Sequence, residues 1–356
     1  MQNTFFRDLV VVELASVLAG PAVGQFFAEM GARVIKVEHP EGDMTRHWKL
    51  PSEPKEQPHS AYFCSVNWGK EIHRIDLSSE KGYAKAMDYI AGADVVISNF
   101  RPAAALRFQL DSASLREKFP QLIVAELSGF GSGDPRPAFD VVLQAEAGFL
   151  YMTGEPGGPP VKMPVALIDI LAAHQLKEGI LLALWQRERT GEGAVVRTSL
   201  FEAALSSLAN QASNWLMARH IPQPMGTQHP NIAPYGDIFN TRDGKRVVLA
   251  VGTDRQFAEL CKLLAKEDWI TDPDLATNAA RVRNRDILRD LLQETIIHWG
   301  SEALLDRLEA MQVPAARIRN MQEVFEQPEA REMILEEQLP GGKVGRGVRT
   351  VAFKVS

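Results

Sequence analysis

Asp169 stands in an unusual place for a carboxylate. It follows Val165-Ala166-Leu167-Ile168 and precedes Ile170-Leu171-Ala172-Ala173. Aspartate is a favoured N-cap, so the apolar run behind it predicts a helix beginning at Asp169. The same position suits covalent chemistry, because a poorly hydrated carboxylate can attack an activated carbonyl. A helix amino terminus would also stabilise the anion and present amides to it. Spacing alone leaves both readings open. His220 and His229 are the nearest thing to a metal pair, but they sit in a proline-rich stretch without a neighbouring carboxylate. The sequence contains no GxxxxGK[ST], HExxH or GxSxG.

The elements that must position Asp169 alternate along the chain. Residues 9–14, LVVVEL, read as a buried strand. Ala19-Gly20 then turns the chain, and Pro21 falls in the first helical turn, where proline is tolerated. A helix over 22–30 ends at Gly31, a C′ glycine, and a strand follows over 34–37. Glu38 stands where the ribose-binding acid of a dinucleotide site would. However, Ala19-Gly20-Pro21-Ala22-Val23-Gly24 has two glycines at the wrong spacing for GxGxxG, and Pro21 removes an amide donor. A helix over 85–91 and strands over 95–98 and 122–127 continue the alternation, which implies a parallel sheet covered on both faces.

Residues 167–219 read as mostly helical. Leu176, Ile180, Leu181 and Leu184 form a core-facing stripe, the turn 189–193 breaks the run, and a second helix starts at Ser199. The prolines at 222, 224, 230 and 234 mark a linker or domain crossing. Beyond it, a strand over 245–251 and helices over 254–265, 284–298 and 301–311 make a smaller α+β module. Pro340-Gly341-Gly342 turns the tail toward a last strand over 348–355 that rejoins a sheet.

Length and composition limit the remaining functions. The chain of 356 residues suggests two domains, or one large domain with an appendage. A net charge of −6 leaves no basic footprint for nucleic acid. The longest strongly apolar run, 180–185, is too short for a bilayer, and the first fifteen residues lack the pattern of a signal peptide. Cys64 and Cys261 form no metal or disulfide framework, so a reducing cytoplasm is the expected location.

Several segments, taken in order, resemble the class III coenzyme A transferases of the CaiB/BaiF type. These are Ala19-Gly20-Pro21, residues 31–38 (GARVIKVE), Gly42-Asp43-Met44-Thr45-Arg46, Asn67-Trp68-Gly69-Lys70 and Ser98-Asn99-Phe100-Arg101-Pro102. The likeness continues through residues 127–131 (LSGFG), Asp169, residues 190–193 (TGEG) and residues 229–235 (HPNIAPY). That family includes formyl-CoA transferase, carnitine CoA-transferase and acyl-CoA racemases. The resemblance implies an α/β fold: a large domain over 1–220 with a parallel Rossmann-like sheet, completed by about 320–356, and a small α+β domain over 221–319. It further implies an interlocked homodimer in which each chain forms a ring around the other.

The resemblance also implies roles. Asp169 would be the nucleophile, and Ser16, Val17, Ala19, His39, Asn67, Lys70, Asn99, Phe100 and Arg107 would contact CoA. Lys70 would meet phosphate as a mobile point charge and Arg107 as a fork. Coenzyme A would come and go as a substrate, with no resident cofactor and no metal. Arg46 and Arg136 are candidates for the acceptor's distal carboxylate, with Asp140 on the substrate side. Residues 140–148 look most like relatives that use succinyl-CoA and small dicarboxylates such as mesaconate or citramalate. Formyl-CoA:oxalate chemistry is an alternative, but Leu18 replaces a polar residue there. The family's racemases carry His in a Gly-His-Asp run; here it is Ala138-Phe139-Asp140, and Phe moves no proton. A non-catalytic CoA- or nucleotide-binding protein is the third reading, against which the retained Asp169 counts.

Overall fold

The computed structural model describes residues 4–131, 133–339 and 342–355. The chain divides into two compact units. One comprises the residues up to Phe149, Lys162–Ile221 and those from Arg331 on; the other comprises Leu150–Val161 and Pro222–Ala330.

In the first unit, strands and helices alternate: β1 (Val10–Glu13), α1 (Ala19–Glu29), β2 (Arg33–Glu38), α2 (Ala61–Cys64), β3 (Glu71–Arg74), α3 (Glu80–Ala91), β4 (Val95–Ser98), α4 (Pro102–Arg107), α5 (Ser112–Lys118) and β5 (Ile123–Ser128). Then come α6 (Asp140–Glu146), α7 (Phe149–Met152) at the crossing to the second unit, α8 (Leu167–Thr190), β6 (Val195–Ser199), α9 (Leu200–Ser206) and α10 (Ala209–Ala218). Their six strands form one parallel sheet in the order β3-β2-β1-β4-β5-β6.

Both faces of that sheet are buried, which is why its inner strands are runs of Val and Ile. Val11, Val95, Ile97 and Ile123 point into one core with α1 and α8. Their neighbours Val12, Ile35, Val96 and Val124 point the other way, against Ile90 of α3 and Leu115 of α5. Gly31 ends α1 with φ +95°, as expected of a C′ glycine. Two expectations need correction. The stretch read as mostly helical contains strand β6, and β3 lies where no strand was expected.

The second unit has a three-stranded antiparallel sheet of β7 (Tyr235–Asn240), β8 (Arg246–Ala250) and β9 (Ala315–Arg317). Helices α11 (Asp254–Leu263), α12 (Asn278–Arg283), α13 (Arg285–Ile296), α14 (Ser301–Ala310), α15 (Met321–Phe325) and α16 (Pro328–Glu332) accompany it. Phe239, Leu249, Phe257, Leu292 and Leu304 are in its core. Arg281, fully buried, donates to the carbonyls of Ala233 and Leu275 and pairs with Asp254. That ties the proline-rich segment to α12.

The chain then returns to the first unit as a hairpin, β10 (Ile334–Leu339) and β11 (Lys343–Val348). Pro340 and Gly341 of the expected turn lie outside the described residues. Residues 349–355 form no strand, contrary to expectation. The tail docks through side chains instead: the Glu29 carboxylate accepts from the Thr350 and Val351 amides, and Phe353 packs by Phe26.

Candidate active site

In an open parallel sheet, ligands settle beyond the carboxyl ends of the strands where the strand order reverses. Here the reversal lies between β1 and β4, and the loops that follow them clasp each other. The Ser16 amide donates to Asn99 Oδ1 at 3.1 Å, and Asn99 Nδ2 donates to the Ser16 carbonyl at 2.9 Å. Val17 adopts φ +75°, a conformation that costs a β-branched residue about 1–3 kcal/mol. The surroundings enforce it, since the Val17 amide donates to Asp43 Oδ2 (3.3 Å) and Lys36 Nζ donates to the Ala15 carbonyl (2.8 Å). Ala19 opens α1 and is buried.

Lys36 belongs to a buried charge cluster that supports this loop. Its ammonium pairs with Glu13 (2.7 Å) and Asp43 (3.2 Å). Burial opposes its charge, but the two carboxylates outweigh that and hold it above the usual lysine range. Lys70 lies in the same cluster, contrary to the phosphate role expected of it. Its side chain is fully buried, pairs with Glu13 at 2.7 Å and donates to the Pro21 carbonyl and Asn67 Oδ1. Burial pulls it down to about 8. Asn67 is also turned inward, donating to the Phe63 carbonyl. Gly24 makes room for the cluster, since a Cβ there would fall on the Glu13 carboxylate.

Arg46 needs the same correction. It was expected to face the acceptor, but it is 4% exposed and forks onto Glu38 at 2.8 and 2.9 Å. Its guanidinium lies 3.7 Å over the Phe63 ring and also meets His59 Nδ1. A buried carboxylate and guanidinium satisfy each other here, leaving no charge for a ligand. Arg136, the other candidate, is exposed, stacks 3.6 Å over Phe130 and chelates Asp134. His39 is exposed beside Glu41, and Phe100 packs against the core of the sheet's α3 face.

Arg107 is exposed on the last turn of α4 and lines a cavity of about 440 Å³ with Ser78, Ser79, Glu80, Tyr83 and Gln109. The segment after β3 therefore shares Arg107's surroundings. The sequence reading missed it because it missed β3.

Asp169 is the third residue of α8, not its cap. Ala166 occupies the cap position and offers no side-chain acceptor. The cap comes from α6: Asp140 Oδ1 accepts from the Ile168 amide at 2.7 Å, and Asp140 Oδ2 accepts from Gln144 Nε2 at 2.6 Å. Both oxygens of Asp140 are thus engaged. Asp169 is 8% exposed, and among the described residues its carboxylate has no hydrogen bond or ion pair. Burial, then repulsion from Asp140, pushes it up to about 7. The helix dipole favours the anion in this turn, but burial outweighs it.

The Tyr62 hydroxyl is pushed up to about 12 by burial and then by Asp169, Asp140 and Asp43. It is therefore a neutral donor near this carboxylate pair. Trp48 meets the Tyr62 ring edge-on at 5.0 Å and lies 6.5 Å from Phe139. Trp48 and Phe139 remain substantially exposed and form an aromatic rim. Tyr62 and Trp48 carry no signal in the sequence, and Gln144 stands out there only as part of the 140–148 stretch. Chemically, the arrangement provides a desolvated carboxylate that has no partner among the described residues and ionises near neutrality, with a neutral phenol within its electrostatic reach.

Comparisons with known proteins identify the family to which the chain belongs. The family model described as CoA-transferase family III matches residues 6–356. The chain is 39% identical over 349 residues to succinate–glutarate CoA-transferase of Agrobacterium fabrum, covering 96% of this chain and 87% of that one. It is 35% identical over 347 residues to succinyl-CoA:mesaconate CoA-transferase of Haloarcula hispanica, covering 94% and 86%. It matches the crystal structure of a CaiB/BaiF family protein from Brucella suis with a TM-score of 0.88 and 38% identity, covering 100% and 93%.

Proposed function

The chain belongs to CoA-transferase family III, and from that premise we propose that it moves CoA from succinyl-CoA to a free C4–C5 dicarboxylate, with Asp169 as the covalent relay. The observation that carries the reading is Asp169 itself: buried in the first turn of α8, without a partner among the described residues, and pushed up to about 7 by burial and Asp140. The substrate class follows the relatives, whose names specify glutarate, mesaconate and D-citramalate with succinyl-CoA or succinate.

The steps balance without a co-reactant. A carboxylate oxygen of Asp169 attacks the thioester carbon, the C–S bond breaks, and CoA leaves as the thiolate. The resulting mixed anhydride is attacked at the aspartyl carbon by that thiolate, which releases the donor's acid and leaves an aspartyl–CoA thioester. The acceptor carboxylate reverses the sequence and departs as its CoA thioester. Splitting one difficult exchange into easier covalent steps is the advantage of a nucleophilic relay. CoA is a substrate throughout, and no resident cofactor or metal takes part.

We assign to CoA Ser16, Val17 and Ala19 after β1 and Asn99 after β4, whose loops clasp each other, together with His39, Phe100 and Arg107. With Arg46 buried against Glu38, the exposed Arg136, although it holds Asp134, is the candidate we assign to the acceptor's distal carboxylate. The reading includes a cytoplasmic location, supported by two free cysteines, and an interlocked homodimer.

Acyl-CoA donors screened against free acids test the activity. The expected result is transfer from succinyl-CoA to a dicarboxylate, hydroxylamine-trappable protein adduct in the wild type, and neither for Asp169→Ala. A folded Asp169→Ala protein that retains transfer would refute the relay. Sedimentation and circular dichroism through a urea titration test the dimer. Linked rings separate only on unfolding, so a folded monomer at low concentration would refute interlocking.

A further inference from the structure

We propose that Gln144 and Asp140, one turn apart on α6, form a positioning brace that holds the first turn of α8 and so aims the Asp169 carboxylate at the donor's thioester carbon. The proposal rests on the relay reading of Asp169 and adds two residues that the chemistry itself does not consume.

The segment that delivers Asp169 to the site has little holding it locally. Its helix starts at an alanine cap without a side-chain acceptor, and a helix amino terminus leaves its first amides without partners unless something outside supplies them. α6 holds the segment at two points, one in the approach to the helix and one in its first turn. At residue 163, the Gln144 carbonyl oxygen accepts from the Met163 amide at 2.9 Å, and its Nε2 reaches the Met163 carbonyl at 3.5 Å. At residue 168, Asp140 accepts from the Ile168 amide. The second grip ends one residue before the nucleophile.

Gln144 also joins the grips, because its Nε2 donates to Asp140. It is 1% exposed, so its amide groups have no water to fall back on and each lost bond is costly. Asp169 has no bond of its own among the described residues, so the backbone held by this brace sets where its carboxylate points.

The brace also controls charge. Among the described residues Asp140 is the charged group that raises Asp169, and Tyr62 of α2 acts beside it as a neutral phenol. Other acids on elements packed against α8 are engaged elsewhere: Glu29 of α1 with Thr350, Glu202 of α9 with Ser199, Glu126 of β5 with Arg197 of β6, and Glu146 of α6 beside Arg136. Asp140 therefore pushes Asp169 toward its protonated form while capping its helix.

Single-turnover mixing with succinyl-CoA, with the protein adduct read by mass, tests the idea in the full-length protein. Binding of a thioether analogue of the donor is measured alongside. Gln144→Met keeps the volume and removes the grip on Met163 together with the link to Asp140. Adduct formation should slow by about 10- to 100-fold while analogue affinity changes by less than about threefold, as expected when a reacting group is misplaced but the binding surface is intact. Asp140→Asn keeps an oxygen for the Ile168 amide, removes the charge and exchanges the acceptor facing Gln144 Nε2 for a donor. Its adduct rate should reach half-maximum about half to one pH unit lower than in the wild type, a shift that follows from removing a nearby like charge and that a purely structural role would not produce. Circular dichroism identifies a variant that fails to fold; if Gln144→Met does, the Asp140→Asn profile decides. A wild-type profile in Asp140→Asn, or a wild-type adduct rate in folded Gln144→Met, overturns the brace. Absence of adduct in the wild type with every acyl-CoA tried would instead overturn the relay reading beneath it.

Discussion

Replacing Asp169 with Asn should make the protein more stable, and more so at pH 8 than at pH 5. Burial and the Asp140 charge raise Asp169 from an ordinary 3.8 to about 7. A carboxyl with a raised folded pKa binds its proton more tightly folded than unfolded. Its contribution is fully present below about pH 4 and is lost as pH rises through 7. Three units correspond to about 4 kcal/mol at high pH, and about 2.5 kcal/mol of that falls between pH 5 and pH 8. Asn has the same shape and does not titrate, so it escapes the loss.

The assay is reversible urea unfolding of both proteins at pH 5 and pH 8, at one protein concentration so that association cancels. The stability gap in favour of Asn should widen by about 2 kcal/mol or more from the lower to the higher pH. An equal gap at both values would refute the idea that Asp169 is a strained, desolvated carboxylate, and the reasoning about its reactivity would fail with it. A widening gap beside a loss of activity would show stability exchanged for function at one side chain.

Arg46→Met should lower stability by about 3 kcal/mol or more by stranding the buried Glu38 charge; a stable variant with a raised KM for the acceptor would return Arg46 to the substrate. Lys70, lowered to about 8, sheds its proton in the folded state before the unfolded one does. Wild-type stability measured against Lys70→Met should therefore rise by about 2 kcal/mol between pH 8 and pH 10, and a flat difference by urea titration would contradict its burial. In deuterium oxide a 2-methylacyl-CoA should keep its α-proton, because Phe139 offers no proton-transfer group; rapid labelling seen by mass spectrometry would favour the racemase branch.

The strands that the sequence made plain are the inner ones. β1, β4 and β5 are buried on both faces and read as continuous Val/Ile runs. The two that escaped, Glu71-Ile72-His73-Arg74 and Val195-Val196-Arg197-Thr198-Ser199, are the two edge strands. Each is only half-buried and keeps polar residues, so neither alternation nor an apolar run stands out. Missing β3 also concealed the Ser78–Glu80 turn that lines the cavity beside Arg107. Asp169 was legible because an acid in an apolar run is conspicuous whatever the fold. The place of Arg46 and Lys70 was not, since it depends on partners brought together only by the sheet.

A clue to those partners was nevertheless present. Glu13, Lys36 and Glu38 all lie in or at the ends of strands that are otherwise apolar, and a charge inside a doubly covered sheet must find a counter-charge. Counting them would have predicted that nearby cations are consumed internally: Lys36 and Lys70 by Glu13, and Arg46 by Glu38. The buried charges thus fall into two kinds. The paired ones hold the β1 and β2 loops and are chemically quiet. Asp169 is buried to a similar degree but faces a second acid in place of a cation, and among the described residues no cation pairs with it. An incoming electrophilic carbonyl relieves that unfavourable charge by turning the carboxylate into a neutral acyl group, and this difference in environment is what separates a reactive carboxylate from a structural one in this fold.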